Sequence, residues 1–177
     1  CQNKWDFATE KMPANAVTLY AKWEANKYSV EFNANGGTGT MSEQAFVYDT
    51  AQELEANKLT KEGYTFKGWS TTADGQVVYA DGESVKNLTS VPNGIVTLYA
   101  VWEANKYSVE FNANGGTGTM QEQEYVYDTE QALETNKFTK EGYTFKGWST
   151  TADGQVVYAN GASVKNLTSV PNGTTTL

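Results

Sequence analysis

The chain contains no histidine and no arginine, and only one cysteine and three prolines among its 177 residues. Each shortage excludes something. Without histidine there is no ordinary general base near neutral pH, no imidazole metal ligand, and no Ser-His or Cys-His dyad. Without arginine there is no bidentate clamp for phosphate or carboxylate. Cys1 stands alone, so no intrachain disulfide can form. Thirteen lysines face 21 Asp and Glu, for a net charge of −8. Residues 1–23 carry +1, residues 24–102 carry −5 and residues 103–177 carry −4. No basic patch can displace counterions from a nucleic acid, so no nucleic-acid partner is expected, and an acidic membrane surface would repel the chain. No secretory signal and no run of ~20 apolar residues is present. Direct membrane insertion is therefore not expected, and any targeting or anchoring element is expected outside this sequence. Cys1 followed by Gln2 has the form of a lipid-bearing first residue. The broken pattern around it favours a boundary that merely falls there.

What the chain does have is itself, twice. Residues 24–98 and 103–177 align at a constant offset of 79, with 64 of 75 positions identical. Seven of the eleven differences lie between positions 42 and 59, and Thr60–Ala80 recurs unchanged. Near-identical tandem copies are a feature of spacers, stalks and multivalent arrays. At 13% aromatic content, each copy has enough to order a small core, so disorder is not expected.

Within one copy, Tyr28, Val30 and Phe32 alternate with Ser29, Glu31 and Asn33, which predicts a half-buried strand. Asn35-Gly36-Gly37-Thr38-Gly39 predicts a turn with positive φ. Gln44–Asp49 predicts a second strand. Thr50–Asn57 carries helix formers, a Thr cap and Glu53 three residues on, and predicts a short helix. Gly63–Trp69 predicts a third strand, with a bulge or close backbone approach at Gly68. Val77–Tyr79 predicts a short strand, Ser84–Leu88 a helical turn, and Val96–Trp102 the last strand. Tyr28, Phe32, Tyr64, Phe66, Leu98 and Trp102 are the expected core. Between Trp102 and the next strand, Glu103-Ala-Asn-Lys106 reads as a four-residue linker without Gly or Pro. It repeats at Glu24–Lys27, spans at most ~14 Å, and predicts touching neighbours set head to tail.

Residues 17–23, Val-Thr-Leu-Tyr-Ala-Lys-Trp, match Val96–Trp102, and Met12-Pro13 sits where Val91-Pro92 sits. Residues 1–23 thus read as the tail of a preceding, diverged repeat, residues 24–102 as repeat module 1, and residues 103–177 as repeat module 2. Leu177 corresponds to Leu98, so the second module lacks its last strand residues. The pattern predicts a longer array.

Three runs fall in order within one copy: Phe-Asn-Ala-Asn-Gly-Gly (32–37), Gly-Tyr-Thr-Phe-x-Gly-Trp (63–69) and Thr-Leu-Tyr-Ala-x-Trp (97–102). Together they resemble the Listeria–Bacteroides repeat family, which is similar to the B-repeat of internalin B. The resemblance covers essentially the whole chain. It implies a small β-grasp-like module of exported bacterial surface proteins, usually in tandem between an N-terminal functional domain and a wall anchor; with the strands and short helices read above, the expected fold is α+β, mostly β. The resemblance brings no catalytic residue, and the sequence itself gives no metal ligand and no cofactor to expect.

The remaining motifs have plain readings. Glu53 and Glu55, or Asp81 and Glu83, could be paired for glycoside hydrolysis only by nearness in sequence. Ala132 and Ala162 stand at positions 53 and 83 of the second copy, so solvated surface charge explains them better. Asp74-Gly75 and Asp81-Gly82 lack calcium-loop spacing, and the glycine run at 36–39 lacks the lysine of a phosphate loop. Asn87-Leu-Thr89 and Asn166-Leu-Thr168 fit the glycosylation sequon, which means little if the source is bacterial. Trp69 and Trp148 are the candidate ligand-binding residues. Strict alternation places Trp69 opposite Tyr64 and Phe66, where it could stack on a sugar ring; a bulge at Gly68 would turn it into the core, the commoner place for so large a ring.

The expectation from sequence is a non-enzymatic, extracellular spacer on a bacterial cell surface, built as an elongated rod of β-grasp-like modules. Its partners are the neighbouring repeats. The alternative is an adhesive module that binds host glycan or protein multivalently.

Overall fold

The computed structural model describes residue 8, residue 18 and residues 20–177. Met12, Pro13, Val17 and Leu19 lie outside the described residues; the other residues of the 17–23 run, which matches Val96–Trp102, form no strand, and Tyr20 and Trp23 are exposed.

The first copy forms β1 (Lys27–Asn33), β2 (Gln44–Val47), β3 (Gln52–Glu53), β4 (Tyr64–Ser70), β5 (Ser84–Val85) and β6 (Gly94–Ala104). Four of these make one sheet in the order β2-β1-β6-β4, and β3 pairs with β5. The two ends of the copy meet at its centre: β1 runs parallel to β6, from Tyr28↔Gly94 to Asn33↔Tyr99. The flanking pairs, β1 with β2 and β4 with β6, are antiparallel. The period-two pattern of β1 points Tyr28, Val30 and Phe32 inward. They bury against Phe46, Leu54, Leu59, Trp69, Val85, Leu98 and Ala100. Tyr28 stacks on Phe46 with ring centroids 5.4 Å apart. Phe66 and Trp102 pack against this core, half-buried.

The second copy repeats the plan with β7 (Lys106–Glu110), β8 (Gln123–Val126), β9 (Gln131–Ala132), β10 (Ser163–Val164) and β11 (Gly173–Thr176). Its sheet has three strands, in the order β11-β7-β8, with β11 parallel to β7.

The architecture is mostly β. Among the described residues there is no helix, which corrects the α+β expectation. The helix expected at Thr50–Asn57 is an extended segment containing β3. The Thr50 amide turns back to the Val47 carbonyl instead of starting a helix. Gln44 then binds the extended backbone twice: its side chain donates to the Glu53 carbonyl at 2.8 Å and accepts from the Glu55 amide at 2.9 Å. The Leu54 amide donates to the Glu83 carbonyl. Long-range partners thus satisfy backbone groups that a helix would have satisfied locally. The helical turn expected at Ser84–Leu88 is likewise β5. At Val77–Tyr79 only an isolated bridge forms, Trp69↔Tyr79.

Candidate functional site at the junction between copies

The linker expected at Glu103–Lys106 is almost entirely strand. β6 runs through Glu103 and Ala104, which pair with Thr65 and Tyr64, and β7 begins at Lys106. Only Asn105 lies between. It is buried, 6% exposed, and is fastened on both sides. Toward the first copy, its amide donates to the Gly63 carbonyl at 2.8 Å and its Oδ1 accepts from the Thr65 hydroxyl at 2.6 Å. Toward the second, its Nδ2 donates to the Ser169 carbonyl at 2.9 Å and its carbonyl accepts from the Tyr127 amide at 2.8 Å. Burial with donor and acceptor both paired is the condition under which an amide side chain strengthens a dry contact.

Asn26, its counterpart in the first copy, holds the corresponding forward bonds. Its Nδ2 donates to the Ser90 carbonyl and its own carbonyl accepts from the Tyr48 amide. Asn26 is nevertheless exposed.

Around Asn105 the two copies meet through side chains. The Tyr64 ring packs edge-on against Tyr127, with centroids 5.9 Å apart, and its hydroxyl donates to Asp128 Oδ2 at 2.9 Å. Lys61 Nζ lies 4.2 Å from the centre of the Tyr64 ring. Tyr64 was expected in the core of its own copy; at the end of β4 it faces the neighbour instead. Gly63 has φ +73°, and a Cβ there would overlap the Tyr127 ring. The position therefore needs glycine for backbone and for space.

Asp128 is held in a fixed frame. Its amide donates to Asn166 Oδ1, and Asn166 Nδ2 donates back to Asp128 Oδ1 at 2.9 Å. Both residues have positive φ, 60° and 57°, a region small polar side chains tolerate. Lys165 Nζ sits 3.3 Å from the same carboxylate. The Asn166 bond, followed by the Tyr64 hydroxyl, holds the Asp128 carboxyl below the usual carboxylate range. The same bond to Asp128 pushes the Tyr64 phenol up. In the first copy, Asp49, Asn87 and Lys86 form the same frame, and Asp49 is likewise lowered, first by Asn87.

Sequence reasoning missed Asn105, Tyr64, Gly63 and Asp128 as a group. The recurrence of Glu-Ala-Asn-Lys at both copy starts is the available signal; it predicts touching neighbours but not which residues touch.

Trp69 and Trp148 lie in the two cores, 0% and 3% exposed. The β4–β6 register shifts between Phe66 and Gly68, where Gly68 has φ +144°. The bulge rotates Trp69 onto the side of Phe66, with centroids 4.9 Å apart, and against Phe32 at 4.8 Å. Neither indole offers an exposed ring face, and neither Nε1 finds an acceptor among the described residues.

The second copy also differs at its closing edge. In the first, Trp102 Nε1 donates to the Ala34 carbonyl and Asn35 Nδ2 donates to the Ala100 carbonyl, both at 2.9 Å. Ala113 and Asn114, the counterparts of Ala34 and Asn35, instead line a cleft of about 710 Å³ with Phe145, Trp148 and Leu177. Tyr143–Ser149, identical in sequence to β4, forms no strand, and Tyr143 is 72% exposed.

Among the described residues no helix is long and apolar enough to cross a membrane. A protein of Evansella cellulosilytica named as a Gly-rich membrane protein is 39% identical over 140 residues, covering 77% of this chain and 16% of the relative. A second protein of that organism, named as a membrane protein, is 34% identical over 157 residues, covering 85% of this chain and 22% of the relative. Internalin H of Listeria monocytogenes is 39% identical over 104 residues, covering 58% of this chain and 17% of the relative. The chain thus spans less than a quarter of the length of these relatives. No solved structure matches it. The model of the Listeria-Bacteroides repeat domain matches residues 1–22, 28–101 and 107–177, and with both copies covered the chain belongs to that family, a repeat family and not an enzyme family.

Proposed function

We propose that this chain is a structural spacer: a stalk segment that holds another domain away from a bacterial cell envelope, on the extracellular side. The observation that carries the reading is the junction. A single buried residue, Asn105, separates the last strand of one copy from the first strand of the next, with hydrogen bonds to both. Such a joint has no free linker to hinge about. Repeating it at a constant offset of 79 residues gives similar rotations at successive junctions and an elongated, head-to-tail rod. The parallel central pair β1–β6 flanked by antiparallel strands supports a β-grasp-like module. The relatives named as membrane proteins and as an internalin support a place at the envelope, with anchor and working domain elsewhere in the longer protein. The module needs no cofactor and performs no turnover; its partners are its neighbours in the array.

Small-angle scattering on the 177-residue chain tests the rod. An elongated envelope with one preferred inter-copy distance is expected. A near-spherical envelope, or the broad distance distribution of free hinging, would sink the reading. A glycan array and a pull-down against host proteins test the adhesive alternative, which requires saturable binding.

A further inference from the structure

The chain enters the first copy at Lys27 and leaves it at Ala104. These points lie at opposite ends of the sheet. Lys27 is the start of β1, level with the start of β6, where the Asn93 amide donates to the Lys27 carbonyl at 2.7 Å. Ala104 lies five residues beyond Tyr99, the last partner of β1. Because β1 and β6 are parallel neighbours, tension along the chain pulls them in opposite directions along their own axes. It cannot peel them apart. The inter-strand bonds between Tyr28↔Gly94 and Asn33↔Tyr99 then share the load together instead of failing one by one.

Each strand is backed on its far side. β2 holds β1 from Lys27 to Val30, and β4 holds β6 from Tyr99 to Ala104. Two cross-ties resist sliding directly: Trp102 Nε1 to the Ala34 carbonyl and Asn35 Nδ2 to the Ala100 carbonyl. Both link the chain just after β1 to the outgoing half of β6. The second copy starts the same way, with β7 parallel to β11 from Tyr107↔Gly173 to Glu110↔Thr176, and with the Leu177 carbonyl and amide bonded to Asn112 and Glu110. Load leaving β6 passes through Asn105 alone into β7, from one parallel pair to the next without crossing a loop.

We infer that each copy is a load-bearing clamp, with the parallel pairs β1–β6 and β7–β11 as the elements that hold tension applied along the chain. The inference rests on the spacer reading only for its purpose, since a stalk between an anchor and a working domain carries whatever force acts between them. The mechanics can be tested without it.

The test is single-molecule force spectroscopy on the full chain, where forced unfolding reads the barrier to unfolding. Cys1, the sole thiol, provides one handle. In the through-chain geometry the other handle is a C-terminal tag. In the peeling geometry it is the thiol introduced by Val91→Cys, an exposed site beside the start of β6. That pair pulls the adjacent starts of β1 and β6 apart, so bonds fail in sequence. Unfolding forces several-fold higher through the chain than by peeling are expected at the same pulling rate. Trp102→Phe, which removes one cross-tie and keeps a ring, should lower the through-chain force and leave the peeling force unchanged. Matching thermal melts would show that each variant is folded. Equal forces in the two geometries would overturn the clamp. A compact scattering envelope with unequal forces would overturn the rod and leave the clamp standing.

Discussion

The Tyr64 hydroxyl donates to Asp128 Oδ2 at 2.9 Å, joining two residues 64 positions apart and in different copies. The bond helps hold the Asp128 carboxyl low, behind the contribution of Asn166. A carboxyl lowered in the folded state stabilises that state at pH values above its ordinary range, and the contribution is lost as pH falls through the lowered value. Tyr64→Phe is therefore expected to move the Asp128 titration up toward the ordinary range and leave Asp49, in the same frame in the first copy, where it was. Carboxyl titration by NMR reads both in one sample. An unmoved Asp128 would mean that Tyr64 contributes nothing to it.

Gly63 and Gly142 occupy the same position in the two copies with φ of +73° and +77°. Alanine at either meets the same left-handed backbone cost, roughly 1 kcal/mol. Only at Gly63 would the new methyl also collide with Tyr127; at Gly142 there is nothing nearby. Gly63→Ala should thus destabilise by about 1–3 kcal/mol more than Gly142→Ala, the usual range for overpacking. Denaturant melts of the two variants compare them, and equal losses would remove Tyr127 from the account.

Trp69 is fully buried with its Nε1 hydrogen unpaired among the described residues. Trp69→Ala should cost ~3–5 kcal/mol as a large-to-small core change. Trp69→Phe keeps much of the ring and deletes a donor whose burial without a partner costs about 1–3 kcal/mol. Its loss should be less than half that of alanine. Comparable losses would point to a hydrogen bond at Nε1 that the fold depends on.

Adding Tyr-Ala-Val-Trp-Glu-Ala, the sequence of residues 99–104, after Leu177 supplies the second copy with a partner for Tyr143–Ser149. Amide exchange in that segment should slow to the level of Tyr64–Ser70, and Tyr143 should remain exposed because no further copy covers it. Unchanged exchange would show that the segment does not need the strand to order.

Much of the sheet was legible because β1 and β6 carry a period-two pattern and keep one face to a core. The helix expected at Thr50–Asn57 was not, because what decides it is Gln44 and Glu83, whose bonds to that segment no local propensity encodes. Tyr64–Ser70 and Tyr143–Ser149 make the same point more sharply. Seven identical residues form a strand beside Tyr99–Ala104 and none without it. The junction was illegible for a related reason: Asn26 and Asn105 are the same letter in the same motif, yet Asn26 is exposed and Asn105 is buried between two copies. The bulge at Gly68 could be anticipated from a glycine inside a strand pattern, but its direction, and with it the place of Trp69, depends on the register against β6.

The socket around Asn105 takes half of its contacts from the copy before and half from the copy after. A copy inside an array therefore has both of its sockets filled, and a copy at either end has one. In such a one-dimensional system, order spreads by nearest neighbours, so disruption should begin at the outermost copies and work inward. Lengthening the array would then raise the resistance of its interior to thermal opening, up to a plateau, while each new terminal copy inherits the vulnerability of the one it covered.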